Sequence, residues 1–177
     1  RMSNIEIIQK ILHKDFKYPN QDAIEEYNTD CKKKKFIQKY NIEQGESNVD
    51  YLLYRYDDRA LPFFNEVSGL KKMCDYILFT EWNNKLRVFA IELKQSNDGG
   101  KSQLEAASEF VNYLMKSAER VGFKIDKSFT IWKIRICHNK VTKAKIKVDN
   151  RIQFDYNKFC DYQLRTLRID QLVRVVK

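Results

Sequence analysis

Three residues combine types and spacing that suit hydrolytic chemistry: Asp75, Glu92 and Lys94. Glu92 and Lys94 stand two apart at the end of the apolar run LRVFAIELK. On a strand, both side chains leave the same face, about 6.6 Å apart along it. The runs CDYILFT and LRVFAIELK flank Glu81-Trp82-Asn83-Asn84-Lys85, and Asn83-Asn84 suits a two-residue hairpin turn because Asn tolerates positive φ. A hairpin closed there sets Asp75 directly across from Glu92, with Cβ atoms about 5 Å apart on one face. Two carboxylates opposed in a mostly apolar sheet repel, and each is costly to desolvate. A divalent cation held between them relieves both effects. Hard oxygen ligands suit Mg²⁺ or Mn²⁺, with waters and a substrate phosphate completing the coordination. Lys94 adds positive charge where a phosphodiester's attacking water and developing oxyanion need one. The bland alternative is a surface ion pair of Glu92 with Lys94 or Lys101. Against it, Phe89, Ala90, Ile91 and Leu93 indicate a buried strand, where an acid needs a reason.

The elements expected to position these residues follow from periodicity. Residues 3–16 read as an amphipathic helix with a Ser3/Glu6 capping box and Ile5, Ile8, Leu12 and Phe16 on one face. Residues 21–40 read as a second helix, apolar at Ile24, Tyr27, Cys31 and Phe36, with Lys32 to Lys35 a solvated run. Pro62 to Val67 reads as a strand ended by Ser68-Gly69. Both faces of the 75–94 hairpin are apolar, as in the middle of a covered sheet. After the loop SNDGG, residues 102–121 read as a third helix. It has a Ser102/Glu105 capping box, a stripe of Leu104, Ala107, Val111, Leu114 and Ala118, and Gly122 as its stop. FTIWKIRIC (129–137) reads as a strand, and the remainder supplies at least one more strand and a helix.

This order predicts an α/β fold with a mixed central β-sheet flanked by helices. Its 177 residues suit one domain, with N-terminal helices over 3–40, a core over 62–137 and a C-terminal extension over 138–177. Hydrophobic residues at 43% and aromatics at 13% supply enough core to exclude a disordered chain. A net charge of +9 favours a polyanionic partner, nucleic acid first. Cys31, Cys74, Cys137 and Cys160 form no CxxC pair, which excludes a zinc ribbon and fits reduced thiols. RMSNIEIIQKIL lacks the apolar core and cleavage site of a secretory leader, and no apolar run approaches the ~20 residues of a membrane span. A cytoplasmic location away from membranes is the expectation.

The stretch GLKKMCDYILFTEWNNKLRVFAIELKQS resembles the PD-(D/E)xK, or restriction-endonuclease-like, nuclease superfamily. Its mark is an acid on one strand, an acid-x-Lys at the end of the next, and then a helix. Asp75 matches the first acid and Glu92-Leu93-Lys94 the ExK; Cys74 replaces the often-seen proline. The likeness covers about residues 66–137. It implies a restriction-endonuclease-like core and Mg²⁺-dependent phosphodiester hydrolysis, with DNA favoured over RNA. In the implied mechanism Asp75, Glu92 and the Leu93 carbonyl hold the metal, and Lys94 orients or helps deprotonate the water. Family members often carry a further upstream acid, for which Glu66 is the candidate and Glu25 and Glu26 its rivals. Some exonuclease-like branches place a Gln on the following helix, where Gln103 stands; the Tyr four positions later is absent, because position 107 is Ala. Lys71, Lys72 and Lys101 flank the site in sequence and are candidates for backbone-phosphate contacts. Roles in defence, restriction, repair or a mobile element, and assembly as a homodimer or in a larger complex, are what the resemblance suggests.

Other readings fare worse. Gly100-Lys101-Ser102 invites a P-loop, but the glycine such a loop requires would be at position 95, which is Gln. His13 and His138 have no HxxxH or CxxC partner; His13 is read as facing outward on a helix. The serious alternative is a nuclease-like fold that binds nucleic acid or protein without cutting. A structural or adaptor role would follow only if Asp75 and Glu92 failed to share a face.

Overall fold

The computed structural model describes residues 2–28, 35–56, 67, 69–94, 100–137, 153–155, 160–161 and 166–175. The chain opens with α1 (Asn4–Ile11), whose capping box is formed: Ser3 Oγ accepts from the Glu6 amide, and the Glu6 carboxylate accepts from the Ser3 amide. The helix is shorter than its periodicity suggests. Residues Lys14–Phe16 form a separate 3₁₀ turn, in which His13 Nδ1 accepts from the Asp15 amide instead of extending a helix.

The second expected helix is absent. Residues 21–40 instead contribute β1 (Ala23–Asn28) and most of β2 (Lys35–Glu43), paired antiparallel with Ala23 opposite Asn41. The physical reason lies in the residue types. Ile24, Tyr27, Phe36, Ile37, Tyr40 and Ile42 are β-branched or aromatic and suit a pleated, half-buried surface. Ile24, Tyr40 and Ile42 are buried against the main sheet, and the period of two between Tyr40 and Ile42 is the strand's. A strand not anticipated from the sequence follows, β3 (Asp50–Arg55). The expected strand from Pro62 lies outside the described residues, apart from Val67.

The hairpin forms as expected. β4 (Tyr76–Trp82) and β5 (Lys85–Lys94) pair antiparallel, with Tyr76 opposite Ile91 and Trp82 opposite Lys85. Asn83 and Asn84 have φ of 53° and 58°, the two left-handed residues of a type I′ turn. Next comes α2 (Lys101–Arg120), which buries Leu104, Ala107, Val111, Leu114 and Ala118 on one stripe. Its start differs from expectation: the cap is Gly100, not Ser102, and Ser102 Oγ lies 3.3 Å from Gln103 Oε1. Its end is a Schellman turn, with the Phe123 amide on the Ala118 carbonyl, the Gly122 amide on that of Glu119, and Gly122 at φ 92°. β6 (Thr130–Cys137), β7 (Gln153–Asp155), β8 (Cys160–Asp161), β9 (Thr166–Arg168) and α3 (Ile169–Val175) complete the described chain.

Two mixed sheets result. The larger has the order β3-β4-β5-β6-β7, with β6 parallel to β5, as a crossover through α2 requires. The smaller has the order β1-β2-β9-β8. Because side chains alternate, β5 feeds both faces of the larger sheet. Leu86, Val88 and Ala90 pack beneath α1 and α2, while Phe89, Ile91 and Leu93 pack against the smaller sheet and α3. The expected α/β class with a mixed main sheet and flanking helices is what the structure has; the second mixed sheet, which with α3 covers the face opposite α1 and α2, was not anticipated.

Candidate active site

Asp75 immediately precedes β4, and the hairpin register continues past Tyr76–Ile91 to set it beside Glu92. The strand does not continue its backbone ladder there. Instead the Leu93 amide donates to Asp75 Oδ2 at 2.7 Å, so the carboxylate takes the place of a strand carbonyl. The N–H and C=O of one strand residue leave toward the same neighbour, so the Leu93 carbonyl opens on the Asp75 side of β5. Cys74 is fully buried, and its thiol donates to the Tyr76 carbonyl at 3.1 Å. Burial, then the charges of Glu92 and Asp75, push that thiol well above its ordinary value, so it is an inert packing group.

Glu92 is 3% exposed. Its Oε1 lies 2.6 Å from Lys94 Nζ, whereas Oε2 is buried without a hydrogen-bond partner among the described residues. Burial, and next the Asp75 charge, push its pKa up to about 7 against the favourable pull of Lys94 and the Asp75 amide. Burial also raises Asp75, opposed by the Leu93 amide, Lys94 and Arg55. Lys94 moves up as well. Burial acts to lower it, but the hydrogen bond to Glu92 and the charges of Glu92, Asp75 and Glu26 prevail. The ammonium is therefore held charged.

Gly100 packs onto this group from the start of α2. A Cβ there would stand 3.0 Å from Glu92 Cγ and 3.2 Å from Lys94 Cε, and φ is 84°. Glycine is favoured on both counts: the positive φ strains any other residue, and a Cβ would press on Glu92 and Lys94. Arg135 of β6 is the register partner of Glu92, and its Cδ is 3.8 Å from the same Cβ position. Arg135 was not singled out from the sequence, and Gly100 entered only as part of the rejected P-loop reading. The available signals were a glycine directly before a helix and a charged residue inside the apolar strand FTIWKIRIC.

The other expected site residues are distributed unevenly. Glu66 lies outside the described residues. Its rivals Glu25 and Glu26 stand on β1, not on a helix. Glu25 is held by Lys39 Nζ at 2.9 Å and by the Tyr18 hydroxyl at 3.2 Å, whereas the charge of Glu26 reaches Lys94. Gln103, in the first turn of α2, bonds only to Ser102 among the described residues. Lys101 follows Gly100, is exposed, and stands 4.0 Å from Glu105. Lys71 and Lys72 occupy the turn after Gly69, with Lys72 exposed. His13 is exposed, as expected.

Whether these residues suit a divalent cation turns on Glu92 Oε2. A buried anionic oxygen without a partner is unfavourable, and a cation beside it and Asp75 would satisfy it. Among the described residues no group of three or more His, Cys, Asp or Glu is arranged to hold a metal ion. Mg²⁺ does not need one, because it keeps several waters and is commonly held by one or two carboxylates. No described helix is long and apolar enough to cross a membrane. No protein-family model, curated protein or solved structure matches the chain.

Proposed function

We propose that this domain is a Mg²⁺- or Mn²⁺-dependent nuclease of the PD-(D/E)xK type that hydrolyses phosphodiester bonds, with DNA favoured over RNA. The carrying observation is Glu92: a buried carboxylate with one unpartnered oxygen, facing Asp75 and paired with Lys94. The order of an acid before β4, acid-x-Lys at the end of β5 and then α2 agrees with the family's mark and supports a restriction-endonuclease-like core.

Asp75, Glu92 and the Leu93 carbonyl would hold the metal. A bound divalent cation supplies charge for a pentacovalent phosphate and lowers the pKa of its water. Asp75 keeps one oxygen on the Leu93 amide, which fixes the carboxylate in place. Lys94, charged, acts as a donor that orients the attacking water or a phosphate oxygen. The held proton disfavours a general-base role for it. Arg135, Lys101, Lys71 and Lys72 supply positive charge for the flanking backbone. The net charge of +9 favours such a partner. Action as a homodimer or within a larger complex, in the cytoplasm, belongs to the same reading.

The alternative is a non-catalytic nucleic-acid- or protein-binding module on this fold, favoured by the lack of a third metal-ligating acid among the described residues. Cleavage of single- and double-stranded DNA and RNA with Mg²⁺, Mn²⁺ or EDTA separates the two. Metal-dependent cutting by the native protein, lost in Asp75→Asn and Lys94→Ala, is the expected result. Binding without cutting by any sample supports the module, and cutting that survives both substitutions places the chemistry elsewhere.

A further inference from the structure

A second feature lies beside the acids, at the free edge of the larger sheet. Segment 17–18 runs along β3: Lys17 bridges Tyr54 in antiparallel sense, and the Tyr18 amide donates to the Leu53 carbonyl at 3.0 Å. Residues 15–19, Arg55 and Tyr56 enclose a cleft of about 290 Å³. That is the lower end of ligand-pocket sizes, suited to a single small unit.

Its chemistry is aromatic and cationic. The Arg55 guanidinium lies over the rings of Tyr18 and Tyr76, at 5.8 and 5.7 Å. Phe16 stacks on Tyr56 with centroids 5.7 Å apart and planes 16° apart. Phe16 and Tyr18 are only partly buried, and Arg55 is exposed. Among the described residues neither Lys17 nor Arg55 pairs with a carboxylate. The one acid on the wall, Asp15, stands 3.5 Å from His13. Tyr56 is 8% exposed, and its buried hydroxyl has no hydrogen-bond partner among the described residues.

We propose that this cleft is a nucleotide subsite. It takes one unpaired nucleotide of the strand being cut, with its base against the Phe16 and Tyr18 faces and its phosphate on Lys17 and Arg55. Stacking onto aromatic rings needs a base free of its duplex partner, so the subsite selects single-stranded over double-stranded nucleic acid. A planar guanidinium already stacked on two tyrosines is preorganised to present its N–H fork to a phosphate. The cleft is also placed for it. Arg55 is the register partner of Tyr76, the residue after Asp75; its side chain leaves on the Tyr76 face, opposite that of Asp75, but at the same end of the sheet, where its charge reaches the Asp75 carboxyl. The inference rests on the nuclease reading for the polymer it names, but its test does not require cleavage.

The experiment is fluorescence anisotropy of a short labelled oligo(dT), alone and as a duplex, in EDTA over a series of salt concentrations. Lys17→Gln with Arg55→Gln should weaken oligo(dT) binding about tenfold. It should also flatten the slope of log K against log salt by about 1.4, two phosphate contacts at about 0.7 each. Tyr18→Leu should weaken oligo(dT) binding and leave duplex binding nearly unchanged, while Tyr18→Phe retains it. Equal losses on single strand and duplex, or no loss on either, overturn the subsite. Displacement of oligo(dT) by dTMP at similar concentration overturns the strand assignment in favour of a free nucleotide. Cleavage assays on the same variants keep the two readings apart. Undiminished oligo(dT) affinity in variants of a protein that cuts sinks the subsite alone; variant-sensitive binding by a protein that never cuts sinks the nuclease alone.

Discussion

Replacing Glu92 with Gln should make the metal-free protein more stable above pH 7, although it removes an ion pair. The native carboxyl is 3% exposed and titrates at about 7 instead of 4.5. Its folded-state pKa is raised, so the folded form binds more protons than the unfolded chain between those values. Stability is therefore fully retained below about 4.5, falls as pH rises, and reaches its full deficit above about 7. A shift of this size corresponds to about 3 kcal/mol. Gln keeps the shape and removes the charge but gives up the bond to Lys94 Nζ, so the net gain at pH 8 is about 1–2 kcal/mol. For a chain of this length that is about 2–8 °C in Tm. Thermal unfolding followed by circular dichroism in EDTA, from pH 5 to 8, measures it. The native protein should lose stability across that range more steeply than Glu92→Gln, and the two curves should converge at the acidic end. With Mg²⁺ at a hundred times its Kd the order reverses, since binding stabilises the native form by about 2.7 kcal/mol and the variant far less. A variant less stable than the native protein at pH 8 in EDTA, or one with the same pH slope, would refute the reasoning that Glu92 is a strained anion.

Three further outcomes follow from the same geometry. Asp75→Asn retains an oxygen for the Leu93 amide and should unfold close to the native midpoint in urea, whereas Asp75→Ala orphans that amide at about 1–2 kcal/mol; both should abolish metal-dependent cleavage. Gly100→Ala sets a Cβ at 3.0 Å from Glu92 Cγ with φ at 84°, so the same denaturation should show a loss of about 1–2 kcal/mol, with weaker metal binding by calorimetry. Asn84→Gly suits the second left-handed residue of the type I′ turn and should raise stability by about 0.5 kcal/mol in thermal melts, leaving cleavage unaltered.

The geometry of the candidate site was more legible than the fold around it. A hairpin's register is fixed by its turn, and Asn83-Asn84 announces a turn whose residues must both take positive φ; Asp75 and Glu92 follow by counting. The α2 stripe was equally plain, because a period near 3.6 over five buried positions has few competing explanations. The 21–40 segment failed for the converse reason. Its apolar residues stand three to five apart, compatible with a helical stripe, but their β-branched and aromatic types suit strands. The deciding term was an apolar sheet face, Leu78, Phe89 and Ile91, that required covering. Local sequence carries no record of that demand. Ser102 shows the same limit on a smaller scale: two residues of the right type and spacing did not cap, because the chain enters α2 through a left-handed Gly100 pressed against Glu92. Arg135 and Arg55 reach the acids only through strand pairing, which no short motif encodes.

The tightness of the Asn83-Asn84 turn has a consequence for how this chain tolerates length changes. The ladder on both sides of it has a side-chain period of two, and Asp75, Glu92 and Lys94 hang from the far end. Losing or gaining one residue at the turn would slide one strand past the other by a single step. The shifted strand would then carry its acid to the face packed on the smaller sheet, leaving composition and strand propensity nearly untouched. Changes in pairs would preserve the parity and shift the partner only along the same face. Insertions and deletions that shift the register here should therefore sort by odd and even: odd ones turn the acids to opposite faces, even ones leave them on one face but about 6.6 Å out of line, and either dismantles the candidate site while sparing every residue in it.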